Sequence, residues 1–134
     1  MPAQGPIIIF NGAPRSVKSS IVRAIQDGFD GVWVNLGVDA QNASLPKRLR
    51  PGIGLRPGGE RPELEPVVQA LFAALYASMA EHSRLGLNVV VDVGHHDAYS
   101  QPLNILRDCA RLLTGLPSLF VGARCPIEVI MQRR

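Results

Sequence analysis

Four short apolar runs punctuate the chain, and stretches of helical periodicity separate them. The first is Ile7 to Phe10; the others are Gly31 to Val38, Leu87 to Val93 and Ser118 to Arg124, each ending in polar or glycine residues. Unbroken β-branched residues such as Val89-Val90-Val91 suit a strand covered on both faces of a parallel sheet, because a strand with one wet face would alternate.

Between the runs the period changes from strand to helix. Residues Lys18 to Asp27 place Ile21, Val22 and Ile25 on one stripe. Residues Glu63 to Leu85 place Leu64, Val67, Val68, Leu71, Phe72, Leu75 and Met79 at helical spacing, with acids in the first turn and Gly86 as the stop. Gln101 to Thr114 carries Leu103, Leu106, Ala110 and Leu113, with Ser100 as the expected cap and Gly115 as the end. A last helix is predicted to begin at Pro126, a residue suited to a first helical turn. Alternation of strand and helix predicts a three-layer α/β domain with a parallel sheet and right-handed crossovers.

One stretch breaks the alternation. Residues Ser44 to Pro62 hold four prolines and four glycines with little periodicity. An irregular segment of that length in a small domain is a lid, a substrate-side loop or a disordered linker. Residues 1–134 therefore read as a single domain with 44–62 as its irregular lid or substrate loop.

Composition narrows the class. The chain has 134 residues, 46% of them hydrophobic and 19% charged, with a net charge of +3. Such a chain can bury a core without disulfides or metals. Lys47, Arg48, Arg50, Arg56 and Arg61 concentrate positive charge in the irregular segment, but no aromatic residues interleave with them as a base-stacking platform requires. Phosphate or another anion, or solvent alone, is the expected neighbour of that cluster, with no nucleic acid and no membrane. Cys109 and Cys125 lack metal-ligand spacing and read as buried thiols of a reducing compartment. No basic region precedes the first apolar run, so a cytoplasmic location is expected.

The chemistry is concentrated at the ends of the apolar runs. Ile7 to Val22 read IIIFNGAPRSVKSSIV, a strand, a glycine turn and a helix start. The spacing is that of a phosphate-binding loop, G-x-x-x-x-G-K-[ST], with Val17 in place of its second glycine. In such a loop the backbone amides of Gly12, Ala13, Pro14 to Arg15, Ser16, Val17, Lys18, Ser19 and Ser20 would surround phosphate oxygens, proline contributing shape without an N–H. The N-terminus of the helix adds partial positive charge. Lys18 would hold the outer phosphates of ATP and Ser19 would bind magnesium. Asp92, closing its apolar run, would hold that metal directly or through water. Asp39, closing the second run, is placed to take a proton from a substrate hydroxyl. Both acids have a second reading as caps of the following helix or turn. Arg15 either touches phosphate or is solvated. His95, His96 and Asp97 form a polar cluster after the third run, but adjacent histidines on extended backbone point apart, which disfavours a shared metal. Hydrogen-bonded loop positions or substrate contacts fit them better.

The string from Ile7 to Gln26, followed by LGVDAQNASLP, VVVDVG and LFVGARCPIEVIMQRR, resembles the chloramphenicol phosphotransferase-like kinases over nearly the whole chain. The resemblance implies a P-loop NTPase-type parallel sheet of order 2-3-1-4-5, ATP and magnesium at Lys18 and Ser19, and Asp39 as general base. Arg133 matches an arginine at the start of the family's lid region. Two departures accompany it: Val17, and a fifth strand apparently missing, which would leave the fourth strand open to a second copy of the chain in a homo-oligomer. Two functions stand at this point: an ATP-dependent phosphotransferase acting on a small-molecule hydroxyl, and a catalytically impaired P-loop fold serving as a binding or assembly module.

Overall fold

A computed structural model describes residues 3–12, 18–37, 40, 43–46, 63, 65–95 and 104–123. The strands are β1 (Ile7–Gly12), β2 (Trp33–Asn35), β3 (Asn88–Val93) and β4 (Ser118–Ala123); the helices are α1 (Lys18–Gly28), α2 (Glu65–Arg84) and α3 (Ile105–Leu112). The strands form one sheet in the order β2-β3-β1-β4. Every pairing is parallel: Ile7 stands opposite Val89 and Ser118, and Trp33 opposite Asn88.

Alternation along the two central strands assigns each side chain to a layer. Ile7, Ile9, Val89, Val91 and Val93 face α2 and α3, where Val68, Phe72, Leu75, Tyr76, Met79, Ile105, Cys109 and Leu113 complete the larger core. The intervening residues Phe10 and Val90 face the other way and pack on Val22 and Ile25 of α1. Both faces of the centre are thus covered, which is why β3 carries an unbroken valine run. Fully burying one such side chain stabilises the fold by about 1.5–3 kcal/mol.

The start of β1 is fastened to the end of α2. Gly5 N–H donates to the Ser83 carbonyl at 2.8 Å and the buried Ser83 hydroxyl donates to the Gly5 carbonyl at 2.6 Å. A β-carbon on Gly5 would fall on the Leu87 carbonyl oxygen, so this close approach excludes any larger residue. Gly86, at φ 86°, stops α2 in the position its sequence predicts.

Three local expectations are corrected. β2 covers Trp33–Asn35 rather than Gly31 to Val38. Gly31 turns with φ 100° before it, and beyond it the Gly37 amide donates to the Asn35 side-chain oxygen instead of a neighbouring strand. In α3 the buried positions are Ile105 and Cys109, and the expected Leu113 is buried just past its end, whereas Leu106 and Ala110 are exposed. In α2, Val67 faces outward, and Tyr76, Ala80 and Ser83 join the buried stripe. Leu64, Ser100, Leu103, Cys125 and the helix expected from Pro126 lie outside the described residues.

Candidate functional site

The carboxyl ends of β1, β2 and β3 carry the polar residues that the apolar runs leave over, and ligands of parallel α/β sheets bind at those ends. β1 ends at Gly12 and α1 begins at Lys18, so the phosphate-loop spacing falls on a strand-to-helix junction at the middle of the sheet. Ser19 and Ser20 are exposed in the first turn of α1, where unsatisfied amides and the helix dipole favour anions. Ala13, Pro14, Arg15, Ser16 and Val17 lie outside the described residues, as do Asp39, His96, Asp97, Arg124, Arg133 and the arginine-rich part of the irregular segment.

Asp92 stands opposite Phe10 in the β1–β3 register. Alternation puts it on the α1 side of the sheet with Val90, the side on which Ser19 begins its helix. Its carboxylate oxygen Oδ1 lies against Gly37: a β-carbon there would fall on that oxygen and come within 3.0 Å of Asn35 Oδ1 and 3.2 Å of the Asp92 amide nitrogen. A side chain at residue 37 would therefore displace the Asp92 carboxylate or the turn itself. The Gly37 amide donates to Asn35 Oδ1 at 2.9 Å, turning the chain off β2 and over the end of β3. The turn at Gly37 thus packs against Asp92. The hydroxyl of Ser19 and the carboxylate of Asp92 are hard oxygen donors of the kind magnesium takes. Among the described residues, no group of three His, Cys, Asp or Glu side chains is placed to hold a metal by itself.

The opposite side of the sheet holds a second network. Asn11 Oδ1 accepts the His95 amide N–H at 2.8 Å, across 84 residues of sequence. The His95 ring stacks on Phe72 with centroids 4.7 Å apart and planes 29° apart, and its Nε2 shares a 2.8 Å hydrogen bond with the Tyr76 hydroxyl. Burial, with Cys109 adding to it, pushes the Tyr76 phenol well above its ordinary range. It is therefore a neutral hydrogen-bonding group at any physiological pH. The expectation that the histidine cluster supplies hydrogen-bonded loop residues holds for His95.

Sequence reasoning missed Phe72 and Tyr76 as neighbours of the site, reading the former as ordinary core. The available signal was a hydroxyl-bearing aromatic on the buried stripe of α2, since a buried Tyr hydroxyl usually finds a partner. Asn11 was legible as a strand end but not as the acceptor of the His95 amide.

The model of the chloramphenicol phosphotransferase-like protein family matches residues 5–134, and the chain belongs to that family. Comparison with curated proteins found no match. Among solved structures, a sugar kinase from Janibacter sp. HTCC2649 aligns with a TM-score of 0.63 at 19% identity, covering 96% of this chain and 65% of that one. Thymidylate kinase from Candida albicans aligns at 0.59 with 18% identity, covering 100% and 69%. A chain of the Pnkp1/Rnl/Hen1 RNA repair complex aligns at 0.63 with 19% identity, covering 99% of this chain and 37% of that one. At these identities the likeness is one of fold, which is that of P-loop kinases. The chain spans about two thirds of the two kinases and well under half of the RNA-repair protein.

Proposed function

We propose that this member of the chloramphenicol phosphotransferase-like family transfers the terminal phosphoryl group of ATP to a hydroxyl of a small molecule. The family and the kinase fold support a kinase-type phosphotransferase in general terms. The observation that carries the finer reading is the placement of the Gly12-to-Lys18 spacing between the central strand and the first turn of α1, with Asp92 on the adjacent strand.

In this reading the backbone amides from Gly12 to Ser20 receive the phosphates, Lys18 neutralises the outer ones, and Arg15 and Arg133 add positive charge around them. Magnesium held by Ser19 and Asp92 supplies further neutralisation of the phosphate oxygens. The acceptor oxygen forms its bond to the γ-phosphorus as the bond to the β–γ bridging oxygen breaks, leaving ADP. Its proton passes to the Asp39 carboxylate. This protein then needs to supply little besides position and charge, as phosphoryl transfer requires.

Val17 favours a second reading. A β-branched side chain resists the dihedrals and close ligand approach that glycine permits, so the fold can persist while the loop loses its nucleotide. The chain would then act as a binding module.

Titration with magnesium ATP, on this chain and on Val17→Gly, separates the two. Binding by both, followed by ADP release with a hydroxyl acceptor, supports the phosphotransferase. Binding by Val17→Gly alone supports the silent module. The acceptor panel should include sugars, nucleosides, chloramphenicol and a hydroxyl-ended RNA oligonucleotide, the last because one protein of similar fold works in an RNA repair complex. Asp39→Ala is expected to abolish transfer and leave ATP binding intact; transfer at the original rate removes Asp39 as the base.

A further inference from the structure

We propose that Asn11 is a positioning residue: its side-chain carbonyl, by taking the His95 amide, ties the root of the phosphate loop to the aromatic cluster on α2. The role as loop anchor rests on the functional reading above. The tie itself rests on four observations of geometry.

Asn11 immediately precedes Gly12, the residue from which the loop springs, and its backbone is the last of β1 to pair with β3, opposite Val93. Its side chain continues that pairing two residues further along, accepting the His95 N–H at 2.8 Å. His95 is in turn immobilised from the α2 side, by the stack on Phe72 and by the bond to Tyr76. Phe72 and Tyr76 are both buried, so the cluster is part of the core rather than a surface contact.

Asn11 shares the sheet face of Ile7 and Ile9, where the neighbouring positions are apolar. A carboxamide oxygen there costs desolvation unless it is hydrogen-bonded, and the His95 amide meets that requirement. An apolar residue would pack equally well but would leave the loop root and the segment after β3 free to move independently. The bond therefore links the nucleotide side of the sheet to α2, the helix into which the irregular segment leads. A shift of α2 would be felt at Gly12 through a chain of named contacts: Tyr76 and Phe72 to the His95 ring, its amide to Asn11, and Asn11 to Gly12 through the backbone.

The test combines amide hydrogen exchange with nucleotide binding. In Asn11→Ala the His95 amide is expected to exchange at least about tenfold faster, the scale set by one lost hydrogen bond. The Gly12 amide is expected to follow it. Asn11→Asp, whose carboxylate still accepts that N–H, is expected to retain His95 protection. Tyr76→Phe keeps the ring and removes one of the two contacts that hold His95; faster exchange at Gly12 is the outcome that a purely local role for Asn11 would not produce. Unchanged His95 exchange in Asn11→Ala, or unchanged Gly12 exchange in Tyr76→Phe, overturns the proposal. Where the parent chain binds magnesium ATP, Asn11→Ala is expected to bind it about tenfold more weakly; equal affinity overturns the anchoring role. A parent chain that binds no ATP sinks the phosphotransferase reading and leaves the exchange measurements to decide the tie.

Discussion

The Asp92 carboxylate rests against the backbone of Gly37, in the space that a β-carbon at Gly37 would occupy. An acid at the end of β3 and a glycine just beyond β2 thus share one space, and a substitution at either position reaches the other.

Gly37→Ala is expected to destabilise the protein by about 1–3 kcal/mol, the usual cost of overpacking a filled site. It is also expected to reduce phosphoryl transfer, because Asp92 or the β2 turn must move. Gly28→Ala, at the end of α1 with no atom near the added carbon, serves as the control. There the change is expected to be neutral, or stabilising by up to about 1 kcal/mol. Denaturant midpoints of the two variants check the contrast, and equal midpoints would refute the close packing of Asp92 on Gly37.

Asp92→Asn preserves the shape at Gly37 and removes the charge. If Asp92 serves magnesium directly or through water, the magnesium concentration needed for half-maximal nucleotide binding should rise by about 10–100-fold. The thermal unfolding profile should change little. A magnesium requirement identical to that of the parent chain would reassign Asp92 to the turn alone.

The two faces of α2 should respond differently to truncation. Met79 is fully buried between the helix and the sheet, and Met79→Ala is expected to cost about 2–5 kcal/mol. Val67 is 39% exposed, and Val67→Ala is expected to stay within about 0.5 kcal/mol of the parent. Urea titrations of both variants would test the orientation of the helix, and a large loss at Val67 would contradict it.

Burial, with Asp108 adding to it, pushes the Cys109 thiol from 9.0 up to about 11. The unfolded chain therefore releases this proton at lower pH than the folded one, and its thiolate draws the equilibrium towards unfolding. The stability contributed by the protonated thiol is complete below pH 9.0 and is lost as the pH rises towards about 11. Cys109→Ala should lose less stability than the parent chain across that window, as followed by denaturant midpoints. Near neutral pH the folded parent should react with thiol reagents far more slowly at Cys109 than the unfolded chain does. Parallel stability curves for the two proteins would remove the assignment.

The elements whose signals are local were legible in advance. The apolar runs of β1, β3 and β4, the stripe of α1 and the glycine stops of α2 and α3 all follow from the spacing of a few consecutive residues. The face of α3 was misread because four apolar positions on a short helix allow more than one stripe. The core shared with α2 takes in Ile105, Cys109 and Leu113. β2 was read too long because an apolar run does not show where pairing stops; that point is set by Gly31, Asn35 and the pressure of Asp92 on Gly37.

By itself the sequence determined the class of the fold, the strand-to-helix placement of the phosphate-loop spacing and the family. Each is written in residue types at short separations, where periodicity and steric preference act. Tertiary structure alone decided that Asn11 meets His95, that His95 meets Phe72 and Tyr76, and that Asp92 meets Gly37. Those contacts join segments far apart in the chain, and their geometry exists only once parallel strands are set side by side and the helices close over them.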